Sequence, residues 1–411
     1  MTWPTVPLDS VKSSERYSFV GGPFGSELTT RDYVAEGVPV IRGSNLAAEG
    51  KFFDDDFVYV SDQKAAALHS NLAYPGDLVF TQRGTLGQVG LIPEEARFSR
   101  YVVSQSQMKL TVDEEKAVPL FIYYYFRLPS TVQKIVNRVS SSGVPHINLS
   151  TLKDFDVPLP PLAKQRSIVE IGVAYDKLIE NNRRRIKLLE QTVRLLYREW
   201  FVHFRFPGHE HVKINDGVPE EWKRQPAFDS MEVLSGGTPK TGVPDYWDGE
   251  IPFYTPKDST DSIFVDETEK GITERGLKTC NSALYPAGTV FITARGTVGK
   301  INIAGRPMAM NQSCYALVAR PPLTQEFLYF AVLSGVEHYR SHAVGSVFNA
   351  IIVDTFKHIP FMVPAEPLVT KFSETLRPTL ALVANLQAQN RALEKARDLL
   401  LPKLMSGELE V

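Results

Sequence analysis

The chain has 411 residues, 43% of them hydrophobic and 22% charged, with a formal net charge of −2. This suits an ordinary soluble protein of two or three domains and excludes a uniformly basic nucleic-acid coat, so any phosphate-binding surface must be local. The only cysteines, Cys280 and Cys314, lack metal-ligand spacing, which fits a reducing cytoplasm and implies neither metal nor cofactor. No signal-peptide pattern surrounds Pro4, Pro7 and Asp9, and no apolar run approaches the roughly 18 residues of a membrane span, so no membrane partner is expected.

Residues 1–160 read as a mixed α/β domain. Short apolar runs at 38–41, 78–80 and 102–103 predict strands, and the aromatic-rich stretch 119–127 predicts a helix. Glycine and proline clusters such as Gly21-Gly22-Pro23 mark the loops.

Residues 161–206 then form one long predicted helix. Ile168, Ile171, Tyr175, Leu178, Ile186, Leu189, Val193, Leu196 and Trp200 recur at helical spacing, with Asn182 interrupting them as a stutter would. At about 1.5 Å per residue such a helix spans roughly 60 Å, more than one domain core requires. From Lys164 to Arg205 it carries ten Lys or Arg against five Asp or Glu, with Arg183-Arg184-Arg185 at the middle. That excess reads either as a solvated face or as a contact with phosphates or an acidic partner. Leu188, Leu195, Tyr197 and Phe201 are left over from the stripe and are expected to serve a partner helix.

Residues 207–365 repeat the mixed pattern, with strands expected at 251–254 and 290–293 and a helix at 327–333. Residues 366–411 supply a second long helix, with Phe372, Leu376, Val383, Leu386, Leu393, Leu400 and Leu404 in its stripe and Asn390 intruding. Pro378 predicts a break near its start and a main body over 379–401. The two helices match as an antiparallel pair, unless each packs on its own domain. Asn182 and Asn390 are candidates for fixing the register of the pair.

An internal repeat decides the architecture. Arg83-Gly84-Thr85-Leu86-Gly87 recurs as Arg295-Gly296-Thr297-Val298-Gly299, each preceded by Tyr-Pro and an apolar strand. Ser104-Gln105-Ser106 recurs as Asn311-Gln312-Ser313, and 120–123 as 326–329, in the same order. The chain is a globular unit and a helix, twice over, a pseudo-twofold internal repeat.

A strand followed by RGTLG or RGTVG, a Pro-Leu-Pro-Pro-Leu run, Gln165-Arg166, a long Leu- and Arg-rich helix, and the ending from Leu399 to Leu409 together resemble the specificity subunits of Type I restriction-modification systems. The resemblance spans nearly the whole chain. It implies two target recognition domains separated by two long antiparallel coiled-coil helices. It also implies a non-catalytic DNA-recognition role: each domain reads half of a bipartite, asymmetric site in double-stranded DNA. The implied partners are two methyltransferase subunits together with restriction/translocase subunits. A recognition subunit of another defence assembly, and a coiled-coil scaffold binding protein or sugar, are the alternatives.

Two halves that read different sequences cannot do so with residues they share. Arg83/Arg295, Thr85/Thr297 and Gln105/Gln312 therefore suit scaffold or phosphate contacts, and base readers belong where the copies diverge. The diverging stretches are 49–71 against 256–281, the loop around Arg97 and Arg100 against 306–310, which opens on Arg306, and 140–148 against 342–350, which hold His146 and Asn349. Arg42, Gln82, Gln88, Lys257 and Lys300, near strand ends, complete the candidate DNA-binding set. The Arg-Gly-Thr turn itself reads either as a glycine-dependent hairpin or as a phosphate contact.

Enzyme motifs are missing. The sequence has no Asn-Pro-Pro or Asp-Pro-Pro followed by an aromatic residue, no G-x-x-x-x-G-K loop and no G-x-S-x-G elbow. Glu114-Glu115-Lys116 lacks a Pro-Asp pair upstream and reads as a charged turn, and His338 and His342 lack a third metal ligand.

Overall fold

The structure, a computed structural model, describes residues 3–46, 50–138, 146–343 and 351–410, the side chains of 337–343 excepted. The chain divides into two compact units, one of 1–179 with 391–411 and the other of 180–390.

In the first unit a four-stranded antiparallel sheet runs in the order Phe19–Gly21, Gln107–Leu110, Leu78–Thr81, Val89–Leu91. A five-stranded sheet accompanies it, in which Val38–Ile41 lies parallel to Tyr101–Val103. Thr5–Pro7 pairs with Asp156–Pro158 to tie the start of the unit to its last strand. Pro119–Arg127 is helical as predicted, with Pro119 in its first turn, where a missing N–H costs nothing. Its aromatic residues close the core over Leu78, Phe80, Met108 and Leu110.

The second unit repeats this order. Met231–Ser235, Cys314–Ala319, Val290–Thr293 and Ile301–Ala304 are neighbours in turn, all antiparallel, and Phe264–Val265 adds a parallel edge strand. Trp247–Tyr254 lies parallel to Ala309–Met310, and Lys223–Pro226 pairs with Pro360–Val363. The repeat seen in sequence is therefore a repeat of strand order and pairing sense. The predicted strands fall inside these elements, and the helix expected at 327–333 lies within Gln325–Ala343.

The close approaches repeat as well. A Cβ on Gly22 would meet the Ser104 carbonyl oxygen at 1.9 Å, and one on Gly236 the Asn311 carbonyl oxygen at 2.2 Å. No residue but glycine fits either place.

The first long helix runs from Leu162 to Tyr197 and closes in a π-helical turn over Arg198–Val202. The second runs unbroken from Glu366 to Ser406. Pro378 does not break it. Its side chain is exposed, and the carbonyl deprived of its N–H partner lies on the solvent side, where water can satisfy it.

In each unit the two helices run antiparallel. In the first, Ile168 shares a core with Leu401, Leu404 and Met405, and Asp176 pairs with Arg397. In the second, Ile186 packs with Val383 and Leu386, and the rings of Trp200 and Phe372 lie 5.6 Å apart.

Burial corrects the stripe. Leu178 is exposed and Ile179 buried, so the seam passes through 165, 168, 172, 175, 179, 182, 186, 189, 193, 196 and 200. The steps alternate between three and four throughout. Asn182 occupies a regular seam position, and there is no stutter. The second helix follows the same rule through 369, 372, 376, 379, 383, 386, 390, 393, 397, 400 and 404, with Asn390 in its place. Both asparagines are 7% exposed.

Candidate nucleic-acid interface

In the first unit a cleft of about 870 Å³ opens where three loops meet. Strand Val38–Ile41 delivers Arg42 and Gly43. The turn between Leu78–Thr81 and Val89–Leu91 delivers Arg83, Thr85 and Gln88, and the turn after Tyr101–Val103 delivers Ser104, Gln105, Ser106 and Gln107. Two arginines and no carboxylate are among the residues lining it, so its own charge is positive. Asp32 stands just outside. The hydrogen bond from Lys64, at 2.9 Å, with further ones from Thr29, holds its carboxyl down to about 2, so it stays ionised.

The Arg-Gly-Thr turn is a hairpin, with positive φ at Gly84 and Gly87 and again at Gly296 and Gly299. It is clamped identically in both units by backbone. The Gln82 and Arg83 N–H groups donate to the Ser106 carbonyl at 2.7 and 3.3 Å, and those of Ala294 and Arg295 to the Ser313 carbonyl at 2.8 and 3.2 Å. Ile147 N–H donates to Gln82, and Ile351 N–H to Ala294. The arginine side chains take no part in these clamps, and both residues are exposed. Gln105 braces the cleft rim by donating to the Leu28 carbonyl at 2.7 Å, whereas Gln312 in the second unit accepts from the Thr238 hydroxyl.

Of the candidates named from sequence, Arg42, Arg83, Thr85 and Gln88 come together in this cleft. His146 bridges to Arg83 through the backbone, and Gln82 lies just behind the turn. Arg97 and Arg100 are not part of it; they pair with Asp55 at 3.5 Å and Asp62 at 2.6 Å. In the second unit Arg295 and Thr297 occupy the matching turn and are exposed, as are Lys257 and Arg306. Lys300 pairs with Asp261, whose carboxyl it holds below the usual range. Asn349 lies outside the described residues, as do the side chains of His338 and His342.

Gln107 was invisible to sequence reasoning. It starts a strand of four buried residues, Gln107–Leu110, where an isolated amide reads as noise. Only its position on the cleft floor, at 1% exposure, singles it out.

The partner surface needs one correction. Tyr197 and Phe201 are buried, with Phe201 4.8 Å from Phe372 and 4.9 Å from Phe327 between ring centroids, so both belong to the core of the second unit. Helix-ending aromatics serve the domain that follows them, a role that spacing alone does not separate from docking. Leu188 and Leu195 are 54% and 57% exposed, one heptad apart on the outward face. Arg184 and Arg185 are exposed too. No helix among the described residues is long and apolar enough to cross a membrane.

The chain belongs to the family described as the Type I restriction modification DNA specificity domain, which matches residues 32–191 and 219–394. It is 23% identical over 424 residues to the Type I restriction enzyme MjaIX specificity subunit of Methanocaldococcus jannaschii, a match covering 99% of this chain and 95% of that one. It is 20% identical over 373 residues to the HindI specificity subunit of Haemophilus influenzae, covering 75% and 81%. The crystal structure of a Type I restriction-modification S subunit from M. genitalium shares the fold, with a TM-score of 0.57 at 16% identity over 98% of this chain and 96% of that one.

Proposed function

We propose that this protein reads DNA sequence for a Type I restriction-modification complex and performs no chemistry itself. The two globular segments, 1–160 and 207–365, are its target recognition domains, each reading one half of a bipartite, asymmetric duplex site. The long helices, 161–206 and 366–411, set the unread gap. One observation carries this reading: the two units share a frame, down to the clamped hairpin and its exposed arginine, while the residues set into that frame differ. A shared frame holds phosphates, and differing inserts distinguish bases. Arg83, Arg295, Thr85 and Thr297 are assigned to the backbone of the DNA. Arg42, Gln82, Gln88, Arg97, Arg100, His146, Lys257, Lys300, Arg306 and Asn349 are the candidate readers.

Assembly with methyltransferase and restriction subunits follows from the family. The finer assignment is two methyltransferase subunits, with Leu188 and Leu195 as part of the docking surface.

The test is binding of the assembled complex to duplex DNA across a salt series, followed by exchange of residues 1–158 for the same unit of a relative. Phosphate contact requires affinity to fall steeply as salt rises. The exchange is expected to alter one half-site in the methylome and leave the other as it was; a change in both sinks the modular reading.

A further inference from the structure

We propose that Arg42, Gln88 and Gln107 together read a guanine in the half-site contacted by the first unit. The inference rests on the DNA-specificity reading above and goes beyond it by naming three residues, one base and the atoms that meet.

Two donors in the cleft are unused. Arg42 Nη2 donates to the Asp56 carbonyl at 2.7 Å, but Arg42 Nε is buried with no hydrogen-bond partner. Gln107 Nε2 is likewise buried and without a partner. Arg42 and Gln107 are both lining residues of the cleft. A buried donor left unpaired is costly to folding and calls for an acceptor from outside the chain.

The two glutamine oxygens are engaged by neighbouring hydroxyls. The Ser104 hydroxyl donates to Gln107 Oε1, and the Thr81 hydroxyl donates to Gln88 Oε1 at 3.2 Å. Each amide oxygen thus already accepts one hydrogen bond from the protein. Gln88 Oε1 and Gln107 Nε2 both come within 4 Å of where a Cβ on Gly43 would stand, so the two amides converge beside Arg42.

The two buried groups left without a partner are both donors, and donors call for an edge made of acceptors. In the major groove guanine offers N7 and O6, two acceptors side by side. Adenine offers an acceptor and a donor, and its amino group matches neither of the two unpaired groups.

The second unit supplies the internal control. Thr255, Lys300 and Cys314 stand at the ends and starts of the matching strands, where the first unit has Arg42, Gln88 and Gln107. All three positions differ, while Thr81/Thr293, Arg83/Arg295 and Thr85/Thr297 around them are the same. Differences at these three positions beside shared neighbours are the pattern of a reader set in a common frame.

The test starts from the wild-type methylome, which gives the motif. Binding of the assembled complex is then measured against duplexes in which each G·C pair of the motif is replaced in turn, or its guanine by 7-deazaguanine, which lacks the N7 acceptor. The wild type is expected to lose about tenfold or more in affinity at one guanine of one half-site. Arg42→Lys keeps the charge without the planar fork, and Gln88→Lys installs the second unit's residue. Each is expected to flatten discrimination at that guanine and leave the other positions as they were. A half-site pair lacking any such guanine, discrimination unchanged in both variants, or discrimination lost evenly at every position would overturn the assignment. A wild-type complex that binds all duplexes alike and leaves no split motif would instead sink the DNA reading itself.

Discussion

Asp176 and Arg397, 221 residues apart in sequence, meet at 2.8 Å between the two long helices within the first unit. Tyr124 donates its hydroxyl to the other oxygen of the same carboxylate at 2.6 Å, and Gly172, one turn away, leaves room for that ring. Burial, and then the Asp176 carboxylate, push the Tyr124 phenol far up, so it remains a donor at any ordinary pH. Three separate stretches of chain are joined at one carboxylate. Asp176→Asn keeps the shape and removes the charge, and Arg397→Ala strands a carboxylate about a fifth exposed. Each is expected to lower the stability of the first unit by about 1.5–3 kcal/mol, the range for hydrogen bonds to charged groups, read by urea unfolding. The removed partner should matter less in Asp176→Asn, since the amide still accepts from Tyr124.

Asp77 and Lys109 form a buried ion pair at 3.3 Å, with Thr111 also donating to the carboxylate. At the matching places in the second unit stand Thr289 and Ala316. Losing one partner leaves an uncompensated buried charge, so Lys109→Ala alone is expected to cost about 3–5 kcal/mol. Combining it with Asp77→Thr, the pair the other copy uses, is expected to recover most of that loss in the same unfolding measurement. A double variant no better than the single one would mean the two frames are not equivalent there.

What the sequence disclosed follows from what each signal depends on. The hairpins at Arg83 and Arg295 were readable because a positive φ demands glycine, and the repeat showed it twice. The helix seam was readable in outline, but Leu178 and Ile179 are both apolar neighbours, and only burial tells which faces inward. Tyr197 and Phe201 misled because an aromatic pair suits a partner as well as a core. Gln107 gave no signal at all, since its meaning lies in the hydroxyl of Ser104 at its oxygen and the missing partner at its buried nitrogen.

Cys314 is fully buried, and burial pushes its thiol far above the ordinary 9.0, whereas Cys280 is half-buried on a turn. A thiol-specific reagent at pH 8 is expected to label Cys280 alone in the folded chain and both residues in urea. Because the folded value is raised, the unfolded chain ionises first. The stability tied to Cys314 is complete below pH 9 and is lost progressively as the pH climbs above it. Labelling of two thiols in the native protein would contradict the burial.

Pro378 sits in the interior of a continuous helix at the cost of one backbone hydrogen bond. Replacing it with alanine restores the donor and a better helix former, and interior proline costs about 3 kcal/mol in a regular helix. Pro378→Ala is expected to raise the stability of the second unit by about 1–3 kcal/mol. A neutral or destabilising result would mean that the helix bends there to accommodate the ring.

The alternating three-four seam dictates how helix length is to be varied. An insertion of four residues would rotate everything beyond it off the seam, whereas seven keep the phase. Seven residues added between Arg185 and Ile186, with seven more between Leu386 and Gln387, preserve both Asn182 and Asn390 as seam positions while adding about 10 Å of helix. If helix length sets the unread gap, methylome sequencing should show it wider by about three base pairs with both half-sites unchanged. A gap of the original length in a complex that still modifies DNA would remove the helices from that role.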